Sequence, residues 1–164
     1  MTDDARTPSR DEETETERLN REFDQLLNEL RVAMPGVQVL FAFLLAVPFQ
    51  QRFGQVTDFQ RTVYFATLLF SATASAFFIA PTAYHRLMFR EHEKPMLVRV
   101  SSRLAVLGLV CLAVAMNGAV LLVTDLLFEQ STVTITAVVM ATAYIGLWFG
   151  LGVIRRLTRD TPAR

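Results

Sequence analysis

Side chains that carry chemistry are scarce in this sequence. It holds one cysteine, Cys111, and two histidines, so it predicts neither an intrachain disulfide nor a zinc cluster, which needs several ligands at fixed spacing. It also lacks a Gly-rich phosphate loop, a catalytic serine motif and paired carboxylates within an apolar run. We therefore predict no catalytic, cofactor-binding or metal-binding residues and no enzymatic activity.

Basic surfaces are equally scarce. The formal net charge is zero, and no run of arginine and lysine with interleaved aromatics provides a nucleic-acid interface. The charge is nevertheless uneven, because residues 1–31 carry ten acidic and five basic side chains while the remainder carries six acidic and eleven basic ones. In a chain with long apolar runs, such a basic excess is typical of membrane topology, so we expect no nucleic-acid partner.

Long apolar runs are what the sequence does have. Each is about 20 residues long, the length that spans a hydrocarbon core of about 30 Å as a helix. A buried helix of a soluble protein keeps one polar face, whereas residues 104–123 contain only Cys111 and Asn117 as polar residues. The sequence therefore predicts an all-α integral membrane protein, folded as an antiparallel four-helix bundle. The four runs are residues 32–49, 62–84, 104–127 and 133–154.

The basic residues around these runs predict an orientation. Fourteen of them lie before the first run, between the second and third runs, or after the fourth. The first-to-second connection has only Arg52 and Arg61, and the third-to-fourth connection has none. Because basic flanks stay in the cytoplasm, we predict that both termini and the central connection are cytoplasmic.

Four regions follow from this pattern. Residues 1–17 are polar and acidic and predict a disordered tail. Residues 18–31 have apolar positions at helical spacing and predict an amphipathic cytoplasmic helix. The four-helix transmembrane domain then covers residues 32–156, and residues 157–164 form a cytoplasmic tail.

Two arrangements of the amphipathic helix stay open. It can lie at the membrane interface or pack on the bundle. Alternatively, it can continue into the first run and pair two subunits, because its apolar residues repeat at the 4-3 spacing of a coiled-coil seam. The seam consists of Leu19, Phe23, Leu26, Leu30, Ala33 and Val37.

Polar residues within the runs are the candidates for function. Gln38 and Asn117 can hydrogen-bond a neighbouring helix or contact a solute. Together with Ser71 and Ser75 they would favour transport if all four faced one axis. If they pack between helices instead, transport by a single chain is not expected.

Charged residues near the run ends form a second group of candidates. Arginines at a common cytoplasmic depth can contact anionic lipid head groups or simply anchor the helices. At the opposite side, we expect Asp125 to contact Arg61 or Arg52 and so to close the outer face. The predicted lipid contacts are Arg31, Arg86, Arg103 and Arg155.

Three phrases carry a family resemblance: ELRVAMPGVQVLFAFLLAVPFQQRF at 29–53, DFQRTVY at 58–64 and APTAYHRLMFR at 80–90. They resemble a family of small bacterial four-span membrane proteins known only as a domain of unknown function, over about residues 26–156. The resemblance implies a location in the bacterial cytoplasmic membrane and brings no activity. We expect a structural or accessory membrane protein, with a small oligomeric transporter or channel as the alternative. The expected partners are the lipid bilayer, anionic head groups, and a second copy or a larger membrane complex.

Overall fold

The computed structural model describes residues 15–87 and 94–150, and this part of the chain consists of helices and short connections, without strands. The all-α prediction is confirmed there, and all four helices are long and apolar enough to cross a membrane. The predicted tails at 1–17 and 157–164 fall largely or wholly outside the described residues, as does Arg155. The helices are α1 (Glu15–Ala46), α2 (Asp58–Leu87), α3 (Lys94–Leu127) and α4 (Gln130–Ile145). Short turns of 3-10 helix lie at Val47–Phe49 and Gln51–Gln55, and a π-helical turn at Gly146–Gly150 follows α4.

Helix α1 joins two regions that the sequence predicted as separate elements. The amphipathic segment 18–31 and the first apolar run form one helix of 32 residues. Pro35, the fourth residue of the first apolar run, lies in the interior of α1. A proline has no N–H, so it donates no backbone bond to the carbonyl of Arg31. The helix continues past this point because its packed face is unbroken, with Leu30 and Val37 both buried.

The packed core lies among α1, α2 and α3. In α1 the buried residues Phe23, Leu30, Val37 and Leu44 recur every seven positions, which keeps one face of the helix against its neighbours. From Leu30 onward, the residues of the predicted seam therefore pack against the other helices of the same chain. The buried apolar cluster consists of Leu30, Val37, Ala74, Phe78 and Leu112.

Helices α2 and α3 approach each other most closely at two glycines of α3. A Cβ atom built on Gly108 would lie 2.5 Å from Cε1 of Phe78, and one built on Gly118 would overlap the hydroxyl of Thr67. Residue numbers thus fall along α3 as they rise along α2. Small residues let helix backbones come together in this way.

Helix α4 is packed differently from the other three. Among the described residues it contacts α3 but neither α1 nor α2. Val133 is its buried residue, whereas Val138, Val139 and Ile145 are between 58 % and 63 % exposed. Its apolar side chains are spread around the whole helix, so no single face directs it into the core. In this part of the chain the predicted four-helix bundle is three mutually packed helices with α4 against one of them.

Candidate functional site

Gln38 lies in a groove between α1 and α2, on the exposed face of α1. The groove has a volume of about 370 Å³ and also contains Arg31 and Thr82. None of these three side chains forms a hydrogen bond or ion pair with another described residue. Two residues predicted for different roles, Gln38 and Arg31, therefore share one groove. Its apolar walls are Leu27, Leu30, Met34, Pro35 and Phe78.

Asn117 lies in a different groove, between α3 and α4. This groove has a volume of about 400 Å³, and Asn117 and Tyr144 are its polar lining residues. The Asn117 Oδ1 atom is buried and accepts no hydrogen bond from any described residue. Gln38 and Asn117 therefore do not line a common cavity within the described ranges. The other lining residues are Val110, Ala113, Val114, Ala141 and Ile145.

Ser71 and Ser75 lie inside the helix packing and line neither of these two grooves. Ser71 is fully buried and its Oγ atom has no partner in the described chain. The Ser75 hydroxyl donates to the carbonyl of Ser71 at 3.0 Å. A bond of this kind gives the hydroxyl a hydrogen-bond partner within its own helix, so the hydroxyl needs no bond to water. The same bond to the residue four positions earlier is formed by Thr62, Thr67, Thr124, Thr134 and Thr142.

The predicted lipid-contacting arginines are exposed wherever the structure describes them. Arg86 lies in the last turn of α2, Arg103 lies near the start of α3, and Arg31 lies in the α1–α2 groove. None of the three forms an ion pair with a described residue. Each guanidinium is therefore open to an anion from outside the chain.

A polar cluster at the opposite end was only partly expected from the sequence. The Gln60 Nε2 atom donates to Asp125 Oδ2 at 2.8 Å and so joins α2 to α3. Gln60 Oε1 accepts the Thr57 backbone N–H at 3.0 Å, while Thr57 Oγ1 accepts the Gln60 N–H at 3.2 Å. This reciprocal pair is a capping box. The pattern Thr57-x-x-Gln60 signals it in the sequence, but the bond to Asp125 has no such signal.

The predicted contact between Asp125 and Arg61 is wrong. Arg61 Nη1 lies 3.5 Å from Asp58 Oδ1 on its own helix, and both side chains are exposed. Successive residues of a helix differ by about 100° in direction, so Arg61 points away when Gln60 faces Asp125. The side chain of Arg52, the other predicted partner, lies outside the described side chains.

Next to this cluster lies an apolar pocket of about 340 Å³ between α1, α2 and α3. The Tyr64 hydroxyl donates to the carbonyl of Leu44 at 2.9 Å, and the Phe53 ring meets the Tyr64 ring edge-on at 5.2 Å. Within the described residues no three His, Cys, Asp or Glu side chains come together. What these sites offer chemically is hydrogen bonding, positive charge and apolar contact.

The chain belongs to the family of unknown function DUF6328, whose model matches residues 12–152. The match includes all four helices, and it confirms the resemblance to an uncharacterised domain family. Neither a curated protein nor a solved structure matches the chain.

Proposed function

We propose that this chain is a multi-pass protein of the bacterial cytoplasmic membrane that serves a structural or accessory role without catalysis. In this proposal four antiparallel helices cross the bilayer, and both termini lie in the cytoplasm. The partners are the lipid bilayer with its anionic head groups and, for the accessory role, a larger membrane complex, whereas a second copy belongs to the alternative named below. The four helices of membrane-spanning length support this architecture, while the family match carries no activity.

The observation that carries this proposal is the distribution of apolar side chains. Val32, Phe43 and Ile135 are 79 %, 69 % and 64 % exposed, while Ser71 and Ala115 are completely buried. In water, so many exposed large apolar side chains would be unfavourable. In lipid it is favourable, and helix packing then depends on small and hydroxylated residues at the contacts. Lipid is therefore the solvent that suits this surface.

The direction of the helices is supported by contacts and by charge. The pairs Phe78–Gly108 and Thr67–Gly118 relate rising numbers in α2 to falling numbers in α3. The connections from α1 to α2 and from α3 to α4 are short, which favours helices that reverse direction. The basic residues concentrate on the other side, and this distribution supports cytoplasmic termini.

The structural or accessory role is supported by the separation of the polar residues. Gln38 and Asn117 lie in two grooves, and Ser71 lies in neither. Solute passage needs polar groups along one path, and the described part of a single chain does not align them. One observation favours the alternative, an oligomeric transporter or channel: the buried Asn117 oxygen lacks a partner beside the exposed helix α4. A second copy could supply that partner.

Cysteine labelling tests the topology. In a Cys111→Ala background, Gln55→Cys and Gln130→Cys should each react with a membrane-impermeant maleimide on intact cells, because both connections face outward in this proposal. Asn28→Cys, on the exposed N-terminal part of α1, is the matched control and should react only after permeabilisation. Labelling of Gln55→Cys and Gln130→Cys only after permeabilisation would overturn the orientation.

The mass of the assembly separates the two roles. Native mass spectrometry of the chain released from nanodiscs should give a monomer, or a complex with a different protein, for an accessory component. A defined homo-oligomer would favour the alternative, and solute flux into vesicles would then be measured with wild-type protein, Gln38→Leu and Asn117→Leu.

A further inference from the structure

The groove between α1 and α2 combines three unpaired polar side chains with apolar walls. Arg31, Gln38 and Thr82 all line it, and none has a hydrogen-bond or ion-pair partner among the described residues. Provided that the chain is inserted as proposed above, this groove opens to lipid at the cytoplasmic side. We propose that it binds one anionic phospholipid of the cytoplasmic leaflet, with the phosphate at Arg31 and the glycerol ester region at Gln38 and Thr82.

The depth of the two α1 residues matches the polar part of a phospholipid. Arg31 and Gln38 are two turns apart, which corresponds to about 10 Å along the helix axis. Side chains of an α-helix lean toward its N-terminus, so the Gln38 amide reaches back toward Arg31. The guanidinium then lies at head-group level and the amide lies near the boundary with the acyl chains.

Gln38 needs a polar partner at this depth. An unpaired amide in an apolar medium is costly, and no described residue forms a hydrogen bond with the exposed Gln38 side chain. The ester oxygens of a phospholipid accept hydrogen bonds from an amide, and the lipid phosphate accepts them from arginine. Pro35, which also lines the groove, frees the carbonyl of Arg31 as an acceptor for a head-group hydroxyl.

Charge and wall composition favour an anionic lipid over a soluble anion. Arg86 lies four residues after Thr82, on the same face of α2 and one turn closer to the cytoplasmic end, so a second cation flanks the groove. Met34, one helical turn before Gln38 in the groove wall, offers an apolar surface that suits the glycerol and first acyl carbons of a lipid and contributes nothing to a free phosphate ion.

Lipid retention in native mass spectrometry tests the site. The purified full-length chain is supplied with equimolar phosphatidylglycerol and phosphatidylcholine of identical acyl chains, and bound lipids are counted. Wild-type protein should retain one phosphatidylglycerol preferentially. Arg31→Gln should lower that retention about fivefold, the effect of one basic side chain near an anionic surface, and Gln38→Leu should lower it about twofold to tenfold, as for one lost hydrogen bond.

Two variants make the result specific. Arg31→Lys keeps the charge and should retain most of the binding, while Arg99→Gln removes an exposed arginine of α3 outside the groove and should bind as wild type. Equal retention of both lipids by wild-type protein, or unchanged retention in Arg31→Gln, would overturn the site. Displacement of the bound species by excess inorganic phosphate would identify a soluble anion and would also overturn it.

A separate measurement distinguishes failure of the site from failure of membrane insertion. Membranes containing each variant are washed with alkaline carbonate before purification. Release of wild-type chain by this wash would overturn the proposed function and with it the site. A chain that stays in the membrane fraction but shows no preference for phosphatidylglycerol would overturn the site alone.

Discussion

Replacing Gly108 by alanine tests how closely α2 and α3 approach each other. The added methyl group would lie 2.5 Å and 2.7 Å from two ring carbons of Phe78, and 3.3 Å from Cβ of Phe77. Phe78 is only 1 % exposed, so its ring is packed among neighbouring side chains and moves only at a cost in packing energy. Overpacking of this kind costs about 1–3 kcal/mol.

Alanine also favours the helix itself, and this effect has to be separated from the clash. The gain over glycine in a helix interior is about 1 kcal/mol. Gly36 offers a matched control, because it is also helical and a Cβ built on it meets nothing within 4 Å. The difference in free energy of unfolding between Gly108→Ala and Gly36→Ala therefore isolates the packing effect, and we expect it to be about 1–3 kcal/mol.

The assay is an SDS titration in mixed micelles, followed by far-UV circular dichroism, on the wild type and on each variant. Phe78→Leu should recover part of the loss in a Gly108→Ala background, although alone it destabilises the chain, because a smaller side chain leaves room for the methyl group. That pair should show a coupling energy of about 1 kcal/mol or more. If Gly108→Ala proves as stable as Gly36→Ala, or if Phe78→Leu gives purely additive effects, the close approach described above is wrong.

Three further predictions use the same titration. Gln60→Leu should lower the free energy of unfolding by about 1–3 kcal/mol, because it removes a helix cap and a hydrogen bond to a carboxylate. Asp125→Asn keeps an acceptor for Gln60 and should lower it by less than about 1 kcal/mol. Equal losses in the two variants would argue against the bond between Gln60 and Asp125. Leu30→Ala should lower the free energy of unfolding by about 1–3 kcal/mol and Val32→Ala by about 0.5 kcal/mol or less, because only Leu30 is buried. A larger loss for Val32→Ala than for Leu30→Ala would mean that α1 packs through its other face. Asn117→Leu should stabilise a monomer by up to about 1 kcal/mol, because it removes an unpaired buried oxygen. A clear loss of stability would instead reveal a hydrogen-bond partner for Asn117 that the single chain lacks.

The helices could be predicted from the sequence because the length of an apolar run indicates a membrane-spanning helix directly, but the residues at which the helices begin and end were harder to predict. The third run was predicted to begin at residue 104, and α3 begins at Lys94. Charged residues end an apolar run without ending a helix, since arginines such as Arg99 and Arg103 are good helix formers. For the same reason α1 passes through Arg31 without a break, so the amphipathic segment continues into the first run, as one of the two open arrangements had it.

The candidate residues could be found by their polarity, but their neighbours could not. Gln38 and Asn117 stand out within apolar runs, yet the groove that each one lines depends on how the helices are rotated against each other. The seven-residue spacing of Arg31 and Gln38 does place them on one helix face. From this spacing the sequence could have predicted that the two residues share one site. That Thr82 lines the same groove could be seen only from the contact between α1 and α2, because no residue spacing within α2 encodes that contact.

The position of α4 bears directly on whether this chain moves a solute. The groove that contains Asn117 is bounded by α3 and α4, and α4 meets no other helix in the described chain. The groove that contains Gln38 is bounded by α1 and α2, and Val37 and Leu112, between these two sites, are buried in the apolar cluster. A polar path joining both grooves within one chain would have to cross that cluster. Within the described part of one chain the two grooves stay apart, so the proposed alternative of an oligomeric transporter places its path between copies, with α4 as one wall.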